Sequence, residues 1–193
     1  SVSGGSIAAG VLGLNWKHLG FVDGKAPQEQ FHEWVVQPIR GLASRTIDSK
    51  SVLAGTLLPF TMISDRIAAA YDKYLFDGAT LADLPNDEAG EGPRFVLNAT
   101  NVQTGSLWRF SRKYMGDYQV GRWFDPHIRL AAAVAASSAF PPVLSPCILE
   151  LDETAGRYEP GDPTPPFWYP PYTTRAVLSD GGVYDNLGLE TAF

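Results

Sequence analysis

The chain has 193 residues and a net charge of −6, and 45% of its residues are hydrophobic, which is typical of one globular domain with a sizeable core. The sequence contains no basic stripe of the kind that nucleic-acid binding requires, and its acidic balance disfavours electrostatic attraction to anionic lipid. Cys147 is the single cysteine, so no intrachain disulfide can form, and the sequence shows no histidine and cysteine cluster that would indicate a metal site.

The first six residues, S-V-S-G-G-S, follow the pattern of a nucleophile elbow, G-x-S-x-G, with Ser1 in the place of the first glycine. In such an elbow the serine lies on a strained turn between a strand and a helix, and small neighbours such as Gly5 avoid collisions. An apolar segment of helical character follows at 7–12, so Gly4 N–H is a natural oxyanion donor. The six residues alone fit equally well a plain loop in which Ser3 or Ser6 caps the helix.

An elbow needs a strand before it, yet only two residues precede Ser3. Either this chain is part of a longer polypeptide, or another polypeptide supplies the missing strand, and we expect the first. No signal peptide is visible, and the longest apolar run, 52–63, contains Pro59 and is too short to span a bilayer.

Hydrophobic periodicity predicts the elements in the rest of the chain. Helices are predicted at 28–39, 51–58, 65–75 and 128–138, and strands at 95–100, 107–111 and 175–179. Turns are predicted at 23–24 and 103–106. Pro38 and Gly41 are expected to end the first of these helices, and Asp65 is a candidate N-cap.

Helices alternate with buried strands in this prediction, and that order favours an α/β fold. We expect a three-layer α/β/α sandwich with a largely parallel central sheet, in a single domain over residues 1–193 without internal repeats. The segment 154–174 is dense in proline, glycine and aromatic residues and is predicted to be an ordered excursion or flap.

A serine nucleophile needs a base, and the chain has three histidines, His18, His32 and His127. In an α/β-hydrolase the histidine comes last in chain order, but His127 precedes a predicted helix, so all three are interpreted as packed or surface residues. Asp180 is the better candidate because it ends a short apolar strand, and the two glycines after it permit close approach of a substrate. Taken alone, an Asp-Gly pair is a common turn.

Four segments together resemble the patatin-like phospholipases, a family of lipid acyl hydrolases with a serine–aspartate dyad. They are the elbow S-V-S-G-G-S, F-V-L-N-A-T-N-V-Q-T-G at 95–105, A-A-A-V-A-A-S-S-A-F-P-P at 131–142, and D-G-G-V-Y-D-N-L-G at 180–188. They follow the family's order and cover nearly the whole chain, which is far more specific than any one of them. The resemblance implies Ser3 as nucleophile, Asp180 as base and Gly4 N–H as one oxyanion donor.

The resemblance also implies what surrounds the dyad. The family's glycine-rich oxyanion loop lies upstream of the elbow, so the domain over 1–193 is expected to lack this loop and the first strand, and the isolated chain is expected to be inactive or misfolded. The expected partner is a phospholipid or another lipid ester, with no cofactor, metal or nucleic acid. Aromatic residues of 154–174 would meet acyl chains or a membrane, although a rigid loop packed on the core is the simpler interpretation. These residues are Phe167, Trp168, Tyr169 and Tyr172.

Two other functions stay open. An N-terminal nucleophile hydrolase would use Ser1 with its own α-amine as base, although the early helix does not suit the strand-rich start of such folds. A catalytically inactive lipid-binding domain could share the family's fold, and the presence of both Ser3 and Asp180 speaks against it. Ser137 and Ser138 are interpreted as small packing residues, and the sequence assigns no residue to substrate binding.

Overall fold

The computed structural model describes residues 1–44, 61–158 and 163–191, and within them seven strands form one sheet. The strands are β1 (Leu97–Asn101), β2 (Ser106–Phe110), β3 (Tyr114–Asp117), β4 (Gly121–Phe124), β5 (Cys147–Glu150), β6 (Gly156–Arg157) and β7 (Arg175–Asp180). Their order across the sheet is β5-β7-β1-β2-β3-β4-β6. All five residues of β1 are buried, so this strand lies inside the protein.

Every pairing between these strands is antiparallel, so the predicted three-layer α/β/α sandwich with a largely parallel sheet is wrong. Strands β1 to β4 form a meander in which each strand returns along the one before it. The predicted turn at 103–106 joins β1 to β2, with Gly105 at a φ of 67°. The three predicted strands are present, but a buried-strand pattern does not tell in which direction a strand pairs.

A parallel contact occurs where the start of the chain lies beside β1. Val2 forms an isolated parallel bridge with Asn98, and Asn98 N–H donates to Ser1 O at 2.9 Å. β7 pairs with β1 from Ala99 onward, on the same edge. The first residues and the end of β7 therefore share one edge of β1.

Helix α5 lies at the centre of the helical layer. The helices are α1 (Gly4–Leu14), α2 (Gln28–Phe31), α3 (Gln37–Ser44), α4 (Thr61–Tyr71) and α5 (Leu130–Ser137). α5 packs against α1, α4, β1 and β7, and four of its five alanines are buried, as its composition predicts. Gly10 lets α1 approach closely, because a Cβ there would lie 3.3 Å from Val134 Cγ2. None of the described helices combines the length and the apolar character needed to cross a bilayer.

The predicted helices at 28–39, 65–75 and 128–138 are confirmed, but their ends differ from the prediction. The first continues through a π-helical turn, His32–Val36, into α3, so Pro38 and Gly41 lie inside a helix rather than at its end. Asp65 lies within α4 and is not its N-cap. The predicted turn at 23–24 is confirmed by positive φ angles of 48° and 75°. The helix predicted at 51–58 lies outside the described residues.

The described part of 154–174 contains little regular structure, and three of its aromatic side chains pack inward. Phe167, Trp168 and Tyr172 pack against the hydrophobic core, and the rings of Phe167 and Tyr172 are 4.8 Å apart. Tyr169 is 50% exposed. A rigid loop packed on the core therefore describes this segment better than a flap.

Candidate active site

Ser3 lies on a strained turn between Val2 and helix α1. Its backbone has φ 51° and ψ −131°, a conformation that non-glycine residues rarely adopt. Ser3 occupies the N-cap position, but its side chain makes no capping hydrogen bond, and no other hydrogen bond to its Oγ is found among the described residues. The interpretation of Ser3 as a helix cap is therefore wrong, and the turn has the strained geometry of a nucleophile elbow.

Buried hydroxyl groups attach this turn to the sheet. The Ser6 and Ser137 side chains are fully buried, and their Oγ atoms lie 2.7 Å apart. Ser137 Oγ donates its proton to Asn98 O at 2.6 Å, so the Ser6 hydroxyl donates to Ser137. Ser137 O also accepts Ser3 N–H at 3.2 Å. Ser137 thus joins the elbow to β1, which is more than the predicted role of a small packing residue.

Asp180 ends β7 and is only 3% exposed. Its Oδ1 accepts Gly182 N–H at 2.7 Å, which holds the short 3-10 turn Gly181–Val183. Asp180 Oδ2 is buried and has no hydrogen-bond partner in the described part of the chain. Buried carboxylate oxygens are normally hydrogen-bonded. The unpaired Oδ2 of Asp180 is therefore suited to accept a proton donor that reaches it only when substrate binds.

The end of α5 brings the two turns side by side. Ser137 O accepts the backbone N–H of Ser3, and Ala139 O accepts the backbone N–H of Asp180 at 2.9 Å. The neighbours of the two candidates also meet, because a Cβ on Gly181 would lie 2.4 Å from Val2 Cγ1. The Ser3 hydroxyl and the Asp180 carboxylate are not hydrogen-bonded to each other. The structure thus brings the two residues into adjacent turns without joining their side chains.

The backbone N–H groups of Gly4 and Gly5 open helix α1. Neither donates a hydrogen bond to any described residue outside the helix, as expected for the first positions of a helix. Both residues are exposed, and the helix dipole places partial positive charge at this end. These groups are therefore suited to bind a negatively charged oxygen next to Ser3.

The small residues around Ser3 have unequal roles. A Cβ on Gly4 or Gly5 would meet nothing within 4 Å, so there is room for a methyl group at both positions. Ser1 Oγ donates to Val96 O at 3.0 Å and lies 3.3 Å from Ser6 Oγ. The Ser1 hydroxyl therefore helps to attach the start of the chain to the residues before β1.

The histidines do not take part in this arrangement. His18 stacks on Trp34 with ring centroids 4.5 Å apart, and His32 Nδ1 lies 3.5 Å from Gln37 Nε2. His127 is exposed and lines a separate cavity of about 470 Å³. None of the three forms a hydrogen bond with Ser3 or Asp180. Within the residues that the structure describes, no three histidine, cysteine or acidic side chains are grouped so as to hold a metal ion.

A strained serine, a buried carboxylate and helix N–H groups thus meet at one end of α5. The family model of the patatin-like phospholipases matches residues 1–193, the whole chain. The chain belongs to the patatin-like phospholipase family. Comparison with curated proteins and with solved structures gives no significant match. The predicted resemblance is confirmed, and with it the general class of lipid-ester hydrolases to which patatin-like proteins belong.

Sequence reasoning missed the hydroxyl groups beneath this patatin-like elbow. Ser6 is predicted as a possible cap and Ser137 as a packing residue, yet the two side chains bond to each other. The signal in the sequence is slight: a serine three residues after the elbow serine, and another at the end of an alanine-rich helix. Only the packing of α5 on α1 and β1 shows that the two hydroxyls meet.

Proposed function

We propose that this chain is a lipid acyl hydrolase in which Ser3 is the nucleophile and Asp180 the base. One observation carries the proposal: adjacent turns at the end of α5 hold a strained serine and a buried carboxylate, each with a reactive oxygen that lacks a hydrogen-bond partner among the described residues. Functional sites are where such backbone strain and unpaired buried groups concentrate.

The first half of the reaction transfers the acyl group to Ser3. Ser3 Oγ attacks the ester carbonyl carbon while Asp180 Oδ2 takes the hydroxyl proton. The carbonyl electron pair moves to the oxygen, and Gly4 N–H stabilises this oxyanion. When the bond to the alcohol breaks, Asp180 returns the proton to the leaving oxygen. Ser3 then carries the acyl group as an ester.

The second half releases the fatty acid. Asp180 takes a proton from water as the water oxygen attacks the acyl carbon, and Gly4 N–H again faces the oxyanion. The bond to Ser3 Oγ breaks, and Asp180 returns the proton to that oxygen. The free carboxylic acid leaves, and both side chains are back in their starting states.

The mechanism requires the Ser3 hydroxyl to come within hydrogen-bond distance of Asp180. Proton transfer needs Ser3 Oγ within about 2.6–3.2 Å of Asp180 Oδ2, a contact that often tightens only when substrate binds. Ser3 is partly exposed and bears no hydrogen bond that would hold its hydroxyl elsewhere among the described residues. Rotation about a single side-chain bond takes picoseconds to nanoseconds for such a residue.

Exposed apolar side chains beside the site support a lipid ester as substrate and a peripheral contact with a lipid surface. Phe140 is 67% exposed and directly follows Ala139, which binds Asp180 N–H. Val183 is 56% exposed and ends the 3-10 turn after Asp180. Apolar side chains around the entrance to a site favour contact with acyl chains over contact with water.

Labelling with a fluorophosphonate followed by peptide mass spectrometry tests the nucleophile. The reagent should modify Ser3 in the longest natural chain that contains these residues, and Asp180→Asn should abolish both labelling and turnover of a short-chain ester while the fold is retained. Modification of Ser1 instead would indicate an N-terminal nucleophile hydrolase. If the folded protein is neither labelled nor able to turn over the ester, the result would indicate an inactive lipid-binding domain.

A further inference from the structure

An apolar cavity of about 380 Å³ opens beside the candidate oxyanion donor. Its wall consists of Gly4, Ile7 and Ala8 from α1, Ile39, Leu42 and Ala43 from α3, and Tyr71 at the end of α4. These residues are uncharged, and the volume lies within the range of small-molecule sites. The cavity therefore joins the site at Gly4, on the α1 side of Ser3.

Two other concave regions do not share this position. A wider one of about 990 Å³ runs along Pro27, Glu29 and Glu33 and is lined mainly by polar side chains. The cavity of about 470 Å³ near His127 carries Glu150 and Asp152 on its rim. Neither is lined by Ser3, Gly4 or Asp180. Position and chemistry, rather than size, single out the apolar cavity beside Gly4.

The proposed chemistry decides which part of an ester enters this cavity. Asp180 must return a proton to the leaving alcohol oxygen, so the alcohol part lies on the side of Asp180. The carbonyl oxygen points to Gly4 N–H. The remaining substituent of the carbonyl carbon is the acyl chain. With the alcohol on the side of Asp180 and the carbonyl oxygen at Gly4, the acyl chain is left to the apolar wall that begins at Gly4.

We propose that this cavity is the acyl-chain subsite and that Ala8 and Ala43 set the chain length it accepts. The inference rests on the proposed function and deepens it. Ala8 and Ala43 are exposed residues on facing helices, so larger side chains there fill the cavity without displacing the core. Leu42 and Tyr71 are each 8% exposed and belong to the core, so they form its floor.

Kinetics with matched p-nitrophenyl esters test the subsite. Ala8→Trp should lower the ratio of kcat/KM for the octanoyl ester to kcat/KM for the acetyl ester by at least about tenfold, because the indole occupies space that the longer chain needs. Ala69→Trp is the matched control, since Ala69 is an exposed alanine on α4 that does not line the cavity. This control should leave the ratio unchanged. An unchanged ratio in Ala8→Trp would overturn the proposal.

A second ester series separates the acyl side from the alcohol side. Octyl acetate and ethyl acetate differ only in the alcohol, so the ratio of their kcat/KM values should not respond to Ala8→Trp. If this ratio falls at least about tenfold while the octanoyl-to-acetyl ratio stays constant, the cavity holds the alcohol chain and the proposal is wrong.

Binding of decanoate keeps the inference testable if the proposed function fails. Should the longest natural chain that contains these residues be folded and yet turn over none of these esters, hydrolysis through Ser3 and Asp180 is refuted. Calorimetric titration with decanoate then examines the cavity alone. Binding that Ala8→Trp weakens at least about tenfold and Ala69→Trp does not would support an acyl-binding cavity. Equal binding by wild type and Ala8→Trp, or no binding to either, would overturn it.

Discussion

The serine turn and the aspartate turn are anchored in the same way but differ in how tightly they are enclosed. Each follows a residue paired with β1, each leads into a helical turn, and each donates a backbone N–H to the end of α5. The serine turn is open, since a Cβ on Gly5 would meet nothing within 4 Å. The aspartate turn is closed, since a Cβ on Gly181 would lie 2.3 Å from Asn98 O.

In the proposed site, the serine turn is therefore the accessible part and the aspartate turn is the enclosed part. In the proposed mechanism Ser3 must reach a lipid ester, and its turn is partly exposed, with its backbone N–H bound by Ser137 O. The proposed base Asp180 must keep a fixed position, and it is buried, while the residue after it has no room for a side chain. The predictions that follow test this division, from the largest expected effect to the smallest.

Removing either member of the proposed dyad should have the largest effect. Ser3→Ala and Asp180→Asn should each lower kcat by about 10⁴-fold or more, because residues that act as one unit each account for most of the rate enhancement. The double variant should be no slower than Ser3→Ala alone. The measurement is kcat on a short-chain ester, with circular dichroism as a control for folding. If the fold loss of kcat in the double variant equals the product of the two single losses, the two residues do not act as one unit.

Gly181→Ala should strongly destabilise the protein, because the added methyl group would lie within 2.4 Å of both Asn98 O and Val2 Cγ1 and must displace both. We expect the free energy of unfolding to fall by about 3 kcal/mol, as for an overpacked core position. Urea denaturation measures this loss, and ester turnover should fall at temperatures where the variant remains folded. A stability close to that of wild type would show that the aspartate turn is not closed.

Ser137→Ala should have an intermediate effect. It leaves Asn98 O without this donor and the Ser6 hydroxyl without this acceptor, both in the interior. We expect a loss of about 2 kcal/mol in the free energy of unfolding and a fall in kcat larger than any change in KM. Ser138→Ala is the matched control, since the partly buried Ser138 Oγ bonds, among the described residues, only within its own helical turn, to Val134 O and Ala135 O. If the two variants have equal effects, Ser137 has no special role in positioning the serine turn.

Gly5→Ala should have the smallest effect and the opposite sign. Alanine favours a helix over glycine by up to about 1 kcal/mol, and the methyl group meets no neighbour at this position. Urea denaturation should therefore show equal or slightly greater stability, with ester turnover retained because the backbone N–H groups are unchanged. A marked loss of stability would mean that the serine turn is as closed as the aspartate turn.

Much of the site was predictable because its signals are local. Gly4 and the α1 segment follow Ser3 directly, and Gly181 and Gly182 follow Asp180 directly, so short motifs contain most of each turn. The order of four such motifs was enough to identify the family. The hydroxyl contact between Ser6 and Ser137 could not be predicted in this way, because its two residues come from elements that meet only in the folded chain.

The sequence by itself determined where the helices at 28–39, 65–75 and 128–138 and the strands at 95–100, 107–111 and 175–179 lie, because periodicity and turn residues act over a few neighbours. Only the tertiary structure decided the direction in which the strands pair, which is antiparallel rather than the expected parallel. It also decided that Ser137 O and Ala139 O hold the two candidate residues in adjacent turns. The physical reason is that a strand shows the same alternation of side chains in either direction, so the choice depends on hydrogen bonds between distant segments.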